Sequence, residues 1–391
     1  MSRRRIFLYV QHLLGIGHLK RAVTLARALA GAGIDVTLAS GGFDVPGLAL
    51  DGVHRVQLPP AGTADASFRT LVDADGRPVD EEWKRRRREA LLAAWRAAEP
   101  HALVTELFPF GRRQMRFELL PLLEAASAAP RRPLVVSSVR DVLGGGQTKP
   151  GRQDEMLELL ERYFDHVLVH GDPALIPFER TFRHAQRIAA RLHYTGYIVE
   201  RSEPSGAQAR AGEGEVLVSA GGGAVGRRLL ETAIRARPLT TLAERTWRVL
   251  AGVHAPAADF RALAELAGAL GKERIVLERS RSEFASLLRT CALSVSQGGY
   301  NTTMEGLQAG ARMVAVPFAG AAEIEQTLRA RLLAERGLIE MVEESALTPA
   351  TLAAAIDRAA QRERPAPDLL DLRGAERSAA LLASWTAELA W

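Results

Sequence analysis

The chain reads as an α/β protein of two domains, each a mostly parallel sheet with helices on both faces. Three observations predict this. Short apolar strand runs alternate with helical patterns along most of the 391 residues, the order that βαβ units produce. The alternation stops once, over residues 200–214, where Arg-Ser-Glu-Pro-Ser-Gly-Ala-Gln-Ala-Arg-Ala-Gly-Glu-Gly has linker composition, and then resumes. The length, finally, exceeds what one ordinary core fills. The expected domains are 1–199 and 215–370, joined by the linker 200–214. A C-terminal helix in 371–391 is placed to cross back to the first domain.

Each element has its own signal. Residues 5–11, Arg-Ile-Phe-Leu-Tyr-Val-Gln, read as a strand, and 12–17 as a loop containing Gly15 and Gly17. A helix is predicted from His18 to about Ala30, because Leu19, Ala22, Val23, Ala26 and Leu29 fall on one face. Gly31 and Gly33 end it, and 34–39 form the next strand. Runs 102–105, 134–137 and 166–170 are further strands with helical patterns between them. After the linker come strands at 215–219, 247–250, 274–277, 293–296 and 313–316, the last stopped by Pro317. Beyond Pro365-Ala-Pro367 a helical stretch covers about 372–389.

Composition narrows the class. An apolar fraction of 47% and a charged fraction of 25% are those of an ordinary soluble globular protein. The single cysteine, Cys291, allows no internal disulfide and beside an apolar strand reads as a buried inert thiol, suiting a reducing compartment. No signal-peptide pattern and no membrane-spanning run are present, so a cytoplasmic location is expected. The net charge of +5 comes mainly from arginine. Its densest run, Lys84-Arg85-Arg86-Arg87-Arg88, lies between Glu81, Glu82 and Glu89 and reads as a solvated helix face. An anionic membrane surface, met peripherally, or an anionic substrate is the alternative use of those charges. Nucleic acid is not expected, since no aromatics interleave with the run and no zinc or helix-turn-helix spacing appears.

The richest segment is 291–326. A short strand over 292–296 is followed by Gln297 and breaks at Gly298-Gly299; a helix starts at Asn301/Thr302 and the strand 313–316 follows. Ligands bind such βαβ units at the carboxyl ends of the strands. Glu305, one turn into the helix, can reach the hydroxyls of a bound sugar or ribose, and Gln326 offers an amide to the same crevice. Thr302-x-x-Glu305 is also a capping box, which gives the same carboxylate a purely structural job. Capping leaves the paired glycines, the following strand and Glu325-Gln326 unexplained. This order and spacing resemble the nucleotide-sugar-binding half of GT-B glycosyltransferases, especially the MurG-like enzymes of glycosyltransferase family twenty-eight.

A second signal is Gly15-Ile-Gly17-His18. Glycines let the backbone approach a ligand, and a helix N-terminus disfavours a cationic histidine, so His18 should stay neutral and able to take a proton. A histidine packed at a domain edge is the competing reading. Residues 11–42 resemble the acceptor-side glycine-rich loop of the same enzymes, in which a histidine here is the usual candidate base; Leu13-Leu14 replace part of the longer glycine string. Glu106, Asp141 and His170-Gly-Asp172 follow strands of this domain. Glu106 or Asp141 is the expected orienting carboxylate for His18, and a structural salt bridge competes for each.

Gly221-x-Gly223-x-x-Gly226 satisfies the dinucleotide fingerprint formally, but the next strand ends Leu250-Ala251-Gly252 without the ribose-binding carboxylate. The first loop fails too, with Lys20 where the third glycine belongs. NAD is disfavoured, while diphosphate binding by the amides of Gly221, Gly222 and Gly223 survives. Arg279 and Arg281 precede the helix leading to Ala292; the resemblance puts the nucleobase edge near this backbone, and either side chain can pair with a phosphate or with solvent. Asp73-Ala-Asp75-Gly reads as a turn. No metal site is assigned, and there is no Gly-x-Ser-x-Gly elbow, Walker loop or His-Glu-x-x-His pair.

The resemblance implies an inverting, metal-independent transfer of a sugar from a nucleoside diphosphate, UDP-GlcNAc being the first expectation, with no cofactor besides this co-substrate. His18 would deprotonate the acceptor, Glu305 hold the ribose, Gln326 and Glu325 the donor sugar, and Gly17, Gln297, Gly298, Gly299, Asn301 and Thr302 line the donor turn. Small molecules, lipid-linked acceptors and polysaccharides all stay open. So do two rivals: a sugar-nucleotide epimerase or hydrolase on the same fold, and a non-catalytic nucleotide-sugar-binding module that uses Lys84–Arg88 as its working surface.

Overall fold

The computed structural model of the chain describes residues 3–13, 15–63, 70–144, 151–200, 212–221, 226–253, 255–271, 273–281, 283–318, 325–366 and 369–389. Much of the linker and all of Gly222 and Gly223 lie outside them. The chain forms two compact units. The first is Met1–Val199 with Arg373–Trp391, and the second is Glu200–Leu372.

In chain order, the first unit contains β1 (Arg5–Val10), α1 (Gly17–Gly31), β2 (Asp35–Ser40), β3 (Val53–Gln57), the short β4 (Gly62–Thr63) and β5 (Leu71–Val72), and α2 (Glu81–Ala98). Then come β6 (Ala102–Glu106), α3 (Arg116–Ser127), β7 (Leu134–Arg140), α4 (Arg152–Tyr163), β8 (His166–His170) and β9 (Leu192–Tyr194). Seven strands make one sheet in the order β3-β2-β1-β6-β7-β8-β9, parallel throughout. A parallel sheet covered on both faces needs apolar strands, and β6 is buried at every position.

The second unit contains β10 (Val216–Ser219), α5 (Arg227–Ala236), β11 (Trp247–Leu250), α6 (Ala257–Gly271), β12 (Ile275–Glu278), α7 (Phe284–Thr290) and β13 (Leu293–Ser296). It continues with α8 (Tyr300–Gln308), β14 (Met313–Ala315), α9 (Glu325–Glu335), β15 (Glu340–Met341) and α10 (Pro349–Gln361). Its sheet, β12-β11-β10-β13-β14-β15, is again all parallel.

The last helix, α11 (Gly374–Ala387), returns to the first unit. Its Ala375, Ala379 and Leu382 share a core with Leu19, Leu25, Ala26 and Leu29 of α1. Trp385 stacks on His166, ring centroids 3.8 Å apart. Gly374 enters beside the Gly196 and Tyr197 carbonyls, where a Cβ would come within 2.4 Å of the first.

The basic run needs correction. Arg87 is fully buried, not solvated, and pairs with Glu118 through Nε at 2.7 Å and Nη2 at 2.9 Å. Trp83, Arg87, Leu91 and Trp95 recur every fourth residue and are the buried face of α2, so helical phase draws this arginine inward. It also donates to the carbonyls of Gly41 and Pro59, tying down the loops that follow β2 and β3. Lys84 and Arg85 do face water, in ion pairs with Glu81 and with Glu82 and Glu89.

Candidate active site

In the first unit, chemistry collects where the parallel strands end. β1 and β6 are neighbours, so the helix leaving β1 begins beside the residue that closes β6. His18, second residue of α1, has Nδ1 3.0 Å from both carboxylate oxygens of Glu106. The His18 side chain is 17% exposed, whereas Glu106 is buried. Arg21, one turn further along α1 and buried, donates to Glu106 Oε1.

Burial pushes the His18 pKa down to about 3; the Glu106 charge acts the other way, and Arg112 and Arg140 lower it further. Burial alone would raise Glu106, but His18, Arg21 and Arg112 hold its carboxyl well below the usual range. A neutral histidine thus faces an ionised carboxylate at neutral pH. Nδ1 lies 3.0 Å from both carboxylate oxygens and 3.2 Å from Arg21 Nη2; with its proton directed to Glu106, Nε2 keeps the lone pair. That is the tautomer a general base requires.

Asp141, the other expected orienting group, is engaged elsewhere. It accepts a hydrogen bond from Tyr197 Oη at 3.0 Å and packs against Gly171, where a Cβ would sit 2.5 Å from its own. The structure pairs Glu106, and not Asp141, with the His18 ring. His170 is buried between Ser138 Oγ at 2.8 Å and Thr195 Oγ1 at 2.9 Å, and burial drives its pKa down to about 3. Asp73 closes a turn, accepting from the backbone N–H groups of Asp75 and Arg77.

Two residues of this site escape a reading of the sequence. Arg21 lies three residues after His18, and that i, i+3 spacing is the signal that could have found it. Arg112 follows the turn after β6 in a left-handed conformation, φ 61°, and its Nε donates to the Gln11 carbonyl at 2.7 Å. Nothing in the sequence marks it.

In the second unit the candidate site is largely backbone. β10 ends at Ser219, opposite Ser296 at the end of β13, so the two strand ends lie side by side. Gly221 has φ +70°, and Gly226, φ +140°, starts α5 where a Cβ would meet Ala220 at 2.4 Å and Gln297 Oε1 at 3.3 Å. The Gly298 N–H donates to Ser296 Oγ at 3.2 Å, and Gly298 has φ +68°. Gly299 is the N-cap of α8. The helix therefore begins earlier than Thr302, which is its third residue, and the Thr302–Glu305 capping box does not form. Asn301, Thr302 and Glu305 are each half-buried.

The other donor-side candidates have partners of their own. Arg279 donates to the Ala255 carbonyl at 2.8 Å and lies over the Phe260 ring. Arg281 grips Glu278 with two bonds of 2.8 and 2.7 Å. Glu325 is 3% exposed and pairs with buried Arg329 at 3.1 Å, which lies over Tyr300. Gln326 Oε1 accepts from the Phe318 N–H at 3.4 Å. A cavity of about 370 Å³ opens at the opposite end of this sheet, lined by Arg312, Glu340, Arg362 and Arg364. There, Arg362 and Arg364 hydrogen-bond backbone carbonyls. Among the described residues no group of three or more His, Cys, Asp or Glu is placed to hold a metal, and no helix is long and apolar enough to cross a membrane.

Residues 266–369 match the sequence model described as "Glycosyltransferase family 28 C-terminal domain". The fold is GT-B. It superposes on CalG4, the calicheamicin glycosyltransferase, with a TM-score of 0.66 at 19% identity, covering 100% of both chains. Os79 from O. sativa, in complex with UDP and deoxynivalenol-3-glucoside, gives 0.62 at 16% identity over 98% of this chain and 100% of that one. MurG from Acinetobacter baumannii gives 0.58 at 16% identity, with 98% and 100% covered. No curated protein matches the chain.

Proposed function

We propose that this chain, built as a GT-B glycosyltransferase with a family 28 C-terminal domain, transfers a sugar from a nucleoside diphosphate to an acceptor hydroxyl or amine, inverting the anomeric carbon. The observation that carries the reading is the His18–Glu106 pair, a neutral imidazole held by a buried carboxylate at the end of a parallel sheet.

His18 Nε2 takes the acceptor proton as the acceptor oxygen or nitrogen attacks the anomeric carbon. The glycosidic bond forms as the bond to the diphosphate breaks, and the positive charge that develops on the imidazole is stabilised by Glu106 through Nδ1–H. The leaving diphosphate gains negative charge. The main-chain N–H of Gly221 and the N-terminus of α8 are suited to receive it, because a helix N-terminus and free backbone N–H groups are sources of partial positive charge. One positioned donor of that kind is worth about 3 kcal/mol. Glu305 then serves the ribose hydroxyls and Gln326 the donor sugar, while Glu325, buried against Arg329, holds the start of α9. UDP is the first nucleotide to test, being the one named with Os79.

The test is turnover of a panel of UDP-, dTDP- and GDP-sugars with mixed acceptors, followed by mass spectrometry and by proton NMR of the product's anomeric linkage. Transfer with inversion, undiminished by a chelator, is expected. Epimerised or hydrolysed donor in place of a new glycoside would sink the proposal.

A further inference from the structure

Arg112 has a position that the base and the donor turns leave unused. It follows the tight turn after β6, where the Gly111 N–H bonds the Leu107 carbonyl, and its left-handed backbone is fixed by the Met115 N–H bonding its own carbonyl. Its Nε is tied to Gln11, directly after β1. Among the described residues its two terminal amino groups make no hydrogen bond. A non-glycine residue is kept in this conformation only where its surroundings dictate it, and such residues collect at functional sites.

The Arg112 charge acts on both His18 and the Glu106 carboxylate. That carboxylate is already shared by Arg21 and the His18 ring. The Arg112 charge also acts on His12, 5% exposed, whose Nδ1 is buried without a hydrogen-bond partner among the described residues. A guanidinium held by one nitrogen with two free donors matches the oxygens of a carboxylate or phosphate in a way no neutral acceptor does.

We propose that the acceptor carries an anionic group, a carboxylate or a phosphate, and that Arg112 grips it so that the neighbouring nucleophile meets His18. The proposal rests on the transferase reading and adds the acceptor's chemical class. Arg112 is in this view a binding and specificity residue, and it takes no proton.

The experiment titrates phenyl phosphate and, separately, benzoate into the full-length protein saturated with UDP, which keeps the donor turns occupied. Binding of either probe, weakened about tenfold or more by Arg112→Gln, is expected from loss of a charge-assisted pair. Preference for phenyl phosphate marks a phosphate-bearing acceptor and preference for benzoate a carboxylate. Arg112→Lys, which keeps the charge and loses the fork, should fall between, and it decides the matter if the glutamine variant does not fold. Arg113→Gln, on an exposed residue paired with Glu155, should behave as wild type. His18→Gln should still bind the probes. Equal binding by wild type and Arg112→Gln, no binding of either probe, or loss of UDP affinity with probe binding intact would each overturn it. If UDP itself fails to bind, the donor reading falls, and the same titrations without nucleotide still test Arg112.

Discussion

The carboxyl ends of the two sheets have the same strand-to-helix plan and opposite chemistry. In the first unit the site is made of charged side chains, with His18, Glu106, Arg21 and Arg112 gathered around the ends of β1 and β6. In the second it is made of glycine turns and main-chain N–H groups, with Gly221, Gly226 and Gly298 all at positive φ. Proton transfer needs a titratable group whose tautomer is fixed, and only side chains supply one. Diphosphate needs several converging donors that add no bulk, and the backbone supplies those. On the reading proposed above, one architecture yields a proton-handling half and an anion-cradling half by changing the turn between strand and helix.

The comparison breaks most plainly at His18. His18→Ala should lower kcat by about 10²–10⁴-fold, the usual contribution of a general base, while the donor's KM stays near wild type. Steady-state kinetics with a fixed acceptor checks it, and an unchanged kcat would move the chemistry out of the first unit. Arg87→Ala tests the ionic packing beneath that site. It strands Glu118 and Tyr9, whose hydroxyl is 2.5 Å from Glu118, so a loss of about 3–5 kcal/mol in stability is expected by denaturant titration.

Acid should separate the halves as well. The pKa values of His18 and His170 fall to about 3 on folding, so between an ordinary value near 6.5 and about 3 the unfolded chain binds more protons. The stability they confer is complete above about pH 6.5 and declines as pH falls toward 3, by up to ~1.4 kcal/mol per pH unit for each. The second unit has one histidine, His254, outside the described residues. Hydrogen exchange on acidification should therefore rise first in the first unit. Rates should agree, since kcat/KM is expected to show no histidine inflection near pH 6.5.

How much of this was legible in the sequence depends on the range of the interactions behind each feature. Strands and helices were readable because apolar periodicity is local, and helix boundaries shifted by only a few residues: α8 begins at Tyr300 because Gly298-Gly299 had already turned the chain. His18 was readable from the glycines before it. Its partner was not, because Glu106 and Asp141 both follow parallel strands, and only packing shows that Tyr197 takes the second. Arg87 looked solvated in a run of five basic residues, since composition ignores the helical phase that turns it inward. Arg112 depends on a backbone conformation set by the turn after β6, and no residue pattern announces it.

The smallest effect sharpens the second half of the comparison. Gly298 has φ +68°, and a Cβ there would approach Ala315 to 3.3 Å. Gly298→Ala therefore meets both a left-handed backbone, at about 1–2 kcal/mol, and a contact that β14 must yield to by a few tenths of an ångström. If the donor turn binds through backbone amides, this one methyl should weaken UDP affinity as well as stability, because the N–H groups opening α8 are displaced with the turn. A charged-side-chain site would not respond in that way: it would lose stability and keep its ligand. Measuring UDP affinity by calorimetry beside the unfolding free energy separates the cases, and a destabilised variant with wild-type affinity would show that the second unit does not hold its nucleotide by main chain at this turn.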